Sequence, residues 1–356
     1  MIVYVAKGRY LATLGAYLNS HYAEPIGKHI RLLSYRALFA AKRLPVATYI
    51  FTDHDRLTAA ERERVWGVCQ ALEAGSPSVR ILNHPARVML RLEMLRALHR
   101  DGINNFQAYP LIGDERPTEF PVFLRSEGEH GGERSELIEN AEDLAAEIPK
   151  YLRLRRYKRG YGSVIIGFLN SKDAQGRALK YAAFRVGDHV VPRHRFLGRS
   201  WFVRGPEYLD DAIAGAERDW QTTFAEADQV RRIFDIAGIE YGRLDFATID
   251  GKVQAFEINT NPQTVGSWQD PLRQGADDFF GPRFTRAFTE LDCQADGWVT
   301  NDMPLARSTF LPMRLIMRLE DARWRSLARR SNARFRRKLL REQRRSAAAD
   351  KRRANR

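Results

Sequence analysis

Residues 241–262 read YGRLDFATIDGKVQAFEINTNP. Two apolar-rich segments meet at Asp250-Gly251, a strong short-range signal for a β-hairpin. Each segment carries an acid inside an apolar frame, Asp245 between Leu244 and Phe246 and Glu257 between Phe256 and Ile258. Acids held in such frames are costly unless something neutralises them. Side chains alternate faces along a strand, so Glu257 and Asn259 share a face. Asp245 joins them if the connection holds an odd number of residues. A three-residue loop of Ile249, Asp250 and Gly251, with Gly251 left-handed in a bulge, meets that condition. A two-residue Asp250-Gly251 turn puts the acids on opposite faces, and the plainer alternative leaves one acid in solvent and the other paired with Arg243. The bulged hairpin is the expectation here. It presents Asp245, Glu257 and Asn259 together as oxygen ligands suited to Mg2+, which binds few carboxylates and completes its shell with water and phosphate.

The order of an aspartate, a glutamate twelve positions on and the run E-x-N-x-N-P, with a DG turn between, resembles the metal-binding strands of the ATP-grasp ligases. That superfamily includes glutathione synthetase, D-alanine:D-alanine ligase and glutamate-adding ligases. The resemblance implies an ATP- and Mg2+-dependent enzyme, with Mn2+ as a substitute, that activates a carboxylate as an acyl phosphate and passes it to an amine or, less often, a thiol.

Working outward, residues 1–85 alternate strand and helix. Ile2 to Ala6, Val46 to Thr52 and Val79 to Leu82 read as strands, and Thr58-Ala-Ala-Glu61 as a capping box opening a helix to about Ala74. This rhythm predicts a small parallel sheet. A helix is expected from Asn83 with Pro85 in its first turn, Val88, Leu92, Leu95 and His99 along one face, and Gly102 at its end. An apolar strand at Pro121 to Leu124 closes with Arg125. The loop SEGEHGGERS follows, and its Gly128, Gly131 and Gly132 let backbone approach phosphate. Asn140 to Ile148 reads as a helix ending before Pro149. VIIGFL, residues 164–169, suits a strand buried on both faces. Gly187-Asp188 marks another hairpin, and Asp219 to Ile236 a helix stopped by Gly238. A helix is also expected near Phe279 to Leu291, and a basic one from Leu311.

By resemblance, Arg91 and Arg125 take the places of two phosphate-binding cations that are commonly lysine. Phe168 and Leu169 lie in the hinge whose backbone reads adenine, and Lys180 stands where an acid near the ribose is frequent. Arg243 and Arg204 are candidates for holding a substrate carboxylate or phosphate. His130 and His194 are candidates for substrate handling only.

The expected fold is α/β and α+β: a small parallel βαβ N-terminal domain (1–85), a two-subdomain ATP-grasp module (86–163 and 164–300, the latter with the metal-site hairpin), and a basic helical tail (301–356), partly disordered. The net charge of +14 belongs to that tail. From Arg323 to Arg356 there are fifteen Lys and Arg against Glu342 and Asp350, leaving +1 for the rest. The tail is a possible contact for polyanions such as nucleic acid. A degraded nucleotide-binding body using that tail, or an ATP-grasp phosphotransferase, are the rival readings. No apolar run reaches the length of a membrane span. Only Cys69 and Cys293 occur, which excludes a disulfide framework, and the expected compartment is the cytoplasm. Small-molecule or peptide substrates are the expected partners, with a homodimer common among the families resembled.

Overall fold

The computed structural model describes residues 1–128, 134–155, 162–265, 271–301, 315, 318, 319 and 322–327. Its first unit is a parallel sheet. In chain order it contains β1 (Ile2–Ala6), α1 (Gly15–Leu18), β2 (Ile30–Ser34), α2 (Tyr35–Ala40), β3 (Arg43–Pro45), β4 (Thr48–Phe51), α3 (Ala59–Gly75) and β5 (Arg80–Leu82). The sheet order is β2-β1-β4-β5 with every pair parallel. β1 is fully buried, as a run of Ile, Val, Tyr, Val and Ala requires when both faces are covered. β2 has no counterpart among the expected strands, because Arg31 interrupts its apolar run. The capping box forms as read, with Thr58 N–H donating to Glu61 Oε2 at 2.8 Å and Glu61 N–H to Thr58 Oγ1 at 3.2 Å.

Next come α4 (Arg91–Arg100), β6 (Ala108–Pro110), β7 (Val122–Ser126), α5 (Ala141–Arg155) and β8 (Ser163–Gly167). They build an antiparallel sheet of order β6-β8-β7, whose central strand covers the first four residues of the expected VIIGFL run and stops at Gly167, leaving Phe168 and Leu169 outside it. Two helix expectations are corrected here. Asn83 does not open a helix: it is left-handed at φ 57°, and α4 begins only at Arg91. Its side chain instead joins two sheets, donating to Phe51 O and Tyr241 O and accepting from the N–H groups of Glu240 and Tyr241. α5 runs through Pro149 rather than stopping before it, and its last turns bury Tyr151 in the cluster that holds Leu144 and Ile165.

The remainder contains β9 (Ala178–Val186), β10 (His189–Gly198), α6 (Asp211–Thr223), α7 (Ala227–Ala237), β11 (Tyr241–Ile249), β12 (Lys252–Asn259), α8 (Pro271–Glu290) and β13 (Trp298–Thr300). The four long strands form an antiparallel sheet of order β10-β9-β11-β12. The single helix expected at 219–236 is two, broken at Phe224 (φ 33°), because α6 packs against α8 while α7 packs against α4. Gly238 ends α7 at φ 65°, and a Cβ there would lie 2.1 Å from Arg87 O, so only glycine fits.

α8 ties this sheet to the first unit. Phe280, Phe284 and Phe288 share a core with Ile2, Tyr17 and Phe184, and Tyr17 Oη lies 2.9 Å from Thr285 Oγ1. Trp324 enters the same core at 6% exposure, and Arg325 donates to Gly27 O and Ile30 O at 3.0 and 2.9 Å. The segment 322–327 is therefore part of the folded body and not of a solvated arm. The architecture is the mixed α/β and α+β arrangement expected from the sequence. Among the described residues no helix is long and apolar enough to cross a membrane.

Candidate active site

Asp245 and Glu257 are direct cross-strand partners, and Arg243 faces Asn259 in the same register. Partners opposite each other share a face, so Arg243, Asp245, Glu257 and Asn259 form one row. The expected grouping is present, but the device that creates it differs from the expectation. Ile249 pairs with Lys252, which leaves a two-residue turn with Asp250 at φ 49° and Gly251 at φ 74°. Positive φ at both positions matches the twist of the strands better than a longer loop would. The odd residue sits further down the ladder: Asp245 pairs with Glu257 while Phe246 pairs with Ala255, so Phe256 is a bulge. That bulge restores the parity that the turn removes.

Lys180 joins the row from β9, since Ala182 is the partner of Asp245. Its Nζ donates to Asp245 Oδ2 at 3.0 Å, and Arg243 Nε donates to Asp245 Oδ1 at 2.7 Å. Burial opposes the charge of Asp245, but Arg243 and Lys180 outweigh it and hold the carboxyl below the usual carboxylate range. Glu257 is bound by both expected phosphate-binding arginines. Arg125 Nη2 reaches its Oε2 at 2.7 Å, and Arg91 Nη2 donates to the same oxygen. Arg91, at 6% exposure, opens α4, and its Nη1 also donates to Ser126 O at 2.5 Å. Burial, reinforced by Arg125, pulls Arg91 down to about 10 against the pull of Glu257. Asn259 Oδ1 accepts from Asn261 N–H at 2.8 Å, which fixes the amide at the end of the row.

This row floors the cationic end of a cavity of about 330 Å³ between the β6-β8-β7 sheet and the β10-β9-β11-β12 sheet. Arg125, Lys180, Arg204, Arg243, Asp245 and Glu257 line that end. The other end is apolar, with Phe106, Phe123, Ile166, Phe168, Leu169 and Trp201. A cavity with an aromatic body and a few convergent charges has the composition of a small-molecule site. Of the sequence-predicted residues, Arg125, Phe168, Leu169, Lys180, Arg204, Arg243, Asp245 and Glu257 all line it. Arg91 touches it through Glu257, and Asn259 lies one register step beyond. Gly128 is buried in the turn after β7, outside the lining. Gly131, Gly132 and His130 lie outside the described residues. His194 is buried on Phe196, with ring centroids 3.8 Å apart, and burial pushes its ring well below the usual histidine range; it does not reach the cavity.

The aromatic wall was not legible beforehand. Trp201 and Phe202 sit in the loop after β10, and Arg134 stacks on both, its Cζ 4.2 and 4.3 Å from the two ring centroids. The tryptophan-phenylalanine pair between Arg199 and Arg204 was the available signal, and it reads equally well as an ordinary surface loop.

No family model matches the chain, and no curated protein matches it. Solved structures do. The chain is similar to a set of ligases. D-alanine–D-alanine ligase from Bacillus anthracis, solved in complex with ATP, is 12% identical with a TM-score of 0.49, over 82% of this chain and 96% of that one. VanG D-Ala:D-Ser ligase from Enterococcus faecalis is 10% identical with a TM-score of 0.46, over 82% and 98%. L-amino acid ligase from Bacillus licheniformis is 12% identical with a TM-score of 0.40, over 80% and 73%.

Proposed function

We propose that the protein is an ATP- and Mg2+-dependent ligase of the ATP-grasp kind that joins a carboxylate to an amine through an acyl phosphate. One observation carries the reading: Asp245 and Glu257 stand at the cationic end of an aromatic-walled cavity between two antiparallel sheets, with Asn259 on the same face just beyond it. The aromatic end suits a purine, and Phe168 and Leu169 offer backbone at its edge. Arg91 and Arg125 are desolvated, so a phosphate that replaces Glu257 as their partner gains charge-assisted hydrogen bonds with little competition from water. Arg243, Arg204 and Lys180 extend the positive surface toward the substrate.

The donor set fits a hard cation, being two carboxylates and an amide oxygen. Among the described residues no cluster of three or more His, Cys, Asp and Glu is placed to hold a metal, so Asn259 and a ligand's own oxygens are needed to complete the shell. Mg2+ held by Asp245, Glu257 and Asn259 would offset charge on the transferring phosphoryl group. The chemistry then runs in two substitutions. A substrate carboxylate oxygen bonds to the γ-phosphorus as the bond to the β-phosphate oxygen breaks and ADP leaves. The amine then bonds to the acyl carbon and gives up a proton as the carbon–oxygen bond breaks and inorganic phosphate leaves.

The test is thermal unfolding of wild type and Glu257→Gln with ATP plus Mg2+, with ATP plus a chelator, and with neither. Nucleotide at about a hundred times its Kd stabilises by roughly 2.7 kcal/mol, a rise of roughly 4 °C or more. Wild type is expected to gain more with Mg2+ than with chelator, and Glu257→Gln to gain equally in both, each against its own baseline. No rise for wild type at millimolar ATP overturns the reading.

A further inference from the structure

Arg91 walls a second space, of about 20 Å³, together with Asp55, Glu127 and Thr260 among others. Beyond it an open groove of about 650 Å³ runs along the surface. His54 lines both spaces, so it stands in the wall between the groove and the arginine that holds Glu257. One side of the groove is the outer face of α4, where Glu93, Arg96 and Arg100 follow at i, i+3 and i+7; Arg62 of α3 and Arg87 line it as well.

The groove is built for negative charge. It carries four arginines, and its acid Glu93 is engaged as a cap, accepting from Leu90 N–H at 3.1 Å. Among the described residues Arg87, Arg96 and Arg100 pair with acids that are themselves 28%, 52% and 34% exposed, a class of pair that is easily exchanged for a ligand. Arg62 makes no ion pair among the described residues. His54 supplies an independent pointer. It is 2% exposed, its ring is bonded to the backbone of Phe51 and Asn83, and its Nε2 is buried with no partner. The backbone bonds favour the protonated ring, as bonds donated to carbonyl oxygens do. With Nε2 as the unprotonated nitrogen of the neutral imidazole, its lone pair calls for a donor. A buried polar atom of this kind is expensive to leave unmatched.

Taking the ligase reading as its basis, we propose that this groove admits the amine substrate, that this substrate carries one or more carboxylates, as an acidic amino acid or short acidic peptide does, and that His54 Nε2 accepts from its amine at the inner end. The arginines hold the carboxylates, and the lone pair of His54 accepts an N–H of the amine and fixes it at the inner end of the groove.

The probe is triglutamate, with N-acetyl-triglutamate as the form lacking the amine. Binding to the full chain is measured by calorimetry for wild type and the surface double variant Arg62→Gln/Arg100→Gln, while imidazole 15N resonances follow His54. Triglutamate is expected to bind wild type and to weaken at least tenfold in the double variant. It should also move the His54 Nε2 resonance, which the acetylated peptide leaves in place. Absence of binding, equal binding in the variant, or an unmoved His54 resonance each overturns the proposal. The nucleotide-induced thermal shift is recorded on the same samples. Its presence shows that the variant is folded, and its absence in wild type defeats the ligase reading whatever triglutamate does.

Discussion

His54 shows how far a single side chain shapes the behaviour of this protein. Burial pulls its ring from about 6.5 down to about 4, so the folded chain keeps it neutral where the unfolded chain protonates it. The unfolded state therefore binds more protons between these values, and stability is present above pH 6.5 and falls as pH drops toward 4. A shift of this size corresponds to roughly 3 kcal/mol. Urea unfolding of wild type at intervals from pH 7 to 4.5 should show that decline, and His54→Asn should flatten it by about one proton's worth of slope. An unchanged slope in the variant means that the ring titrates freely. At this scale the sequence was partly legible. The acids Asp245 and Glu257 stood out because they interrupt apolar frames, whereas His54 and Asn83 did not, because their work is done by chain segments distant in sequence. Asn83 bonds to Phe51, Glu240 and Tyr241, and nothing local announces that.

The hairpin of β11 and β12 is the element on which the site depends, and its bulge is the decisive detail. Parity along a strand is absolute, so one residue more or less moves every following side chain to the other face. Deleting Phe256 should regularise the ladder with Asp245 still opposite Glu257 and Arg243 still opposite Asn259, so the nucleotide-induced thermal shift should survive. Phe256→Ala keeps the register and loses only the ring that faces Phe106 at 6.3 Å, so it should retain the shift with weaker nucleotide affinity. Loss of the shift in the deletion alone means that the bulge does more than set which residues face each other. The sequence pointed to the need for an odd residue but not to its location. A DG pair is compatible with two- and three-residue turns, and a phenylalanine inside a strand carries no local mark of a bulge. The broken helix at Phe224 was hidden in the same way, since packing against α8 on one side and α4 on the other decides it.

Across the whole molecule, the alternation of strand and helix in the first 85 residues pointed to a parallel sheet, and the hairpin signals at Gly187-Asp188 and Asp250-Gly251 to antiparallel strands after it. The closing contacts were not foreseen, because the basic composition after Arg323 masks one tryptophan that belongs to the core. Trp324→Ala should cost about 3–5 kcal/mol, measured by denaturant unfolding. Truncation after residue 327, which removes most of the positive charge and spares Trp324, should leave stability nearly unchanged. A loss of the same size in both variants would place the stabilising contact beyond Trp324. The core that receives this tryptophan also contains Ile2 and Tyr4 of β1 and Phe284 of α8. Its members therefore leave the ribosome about 320 residues apart. At 5–20 residues per second, roughly 15–60 s separate the appearance of β1 from that of its last partner. Through that interval the most apolar strand of the parallel sheet has only part of its cover, so the nascent chain must be shielded during translation, and the yield of folded protein should depend on chaperones and on the speed of elongation.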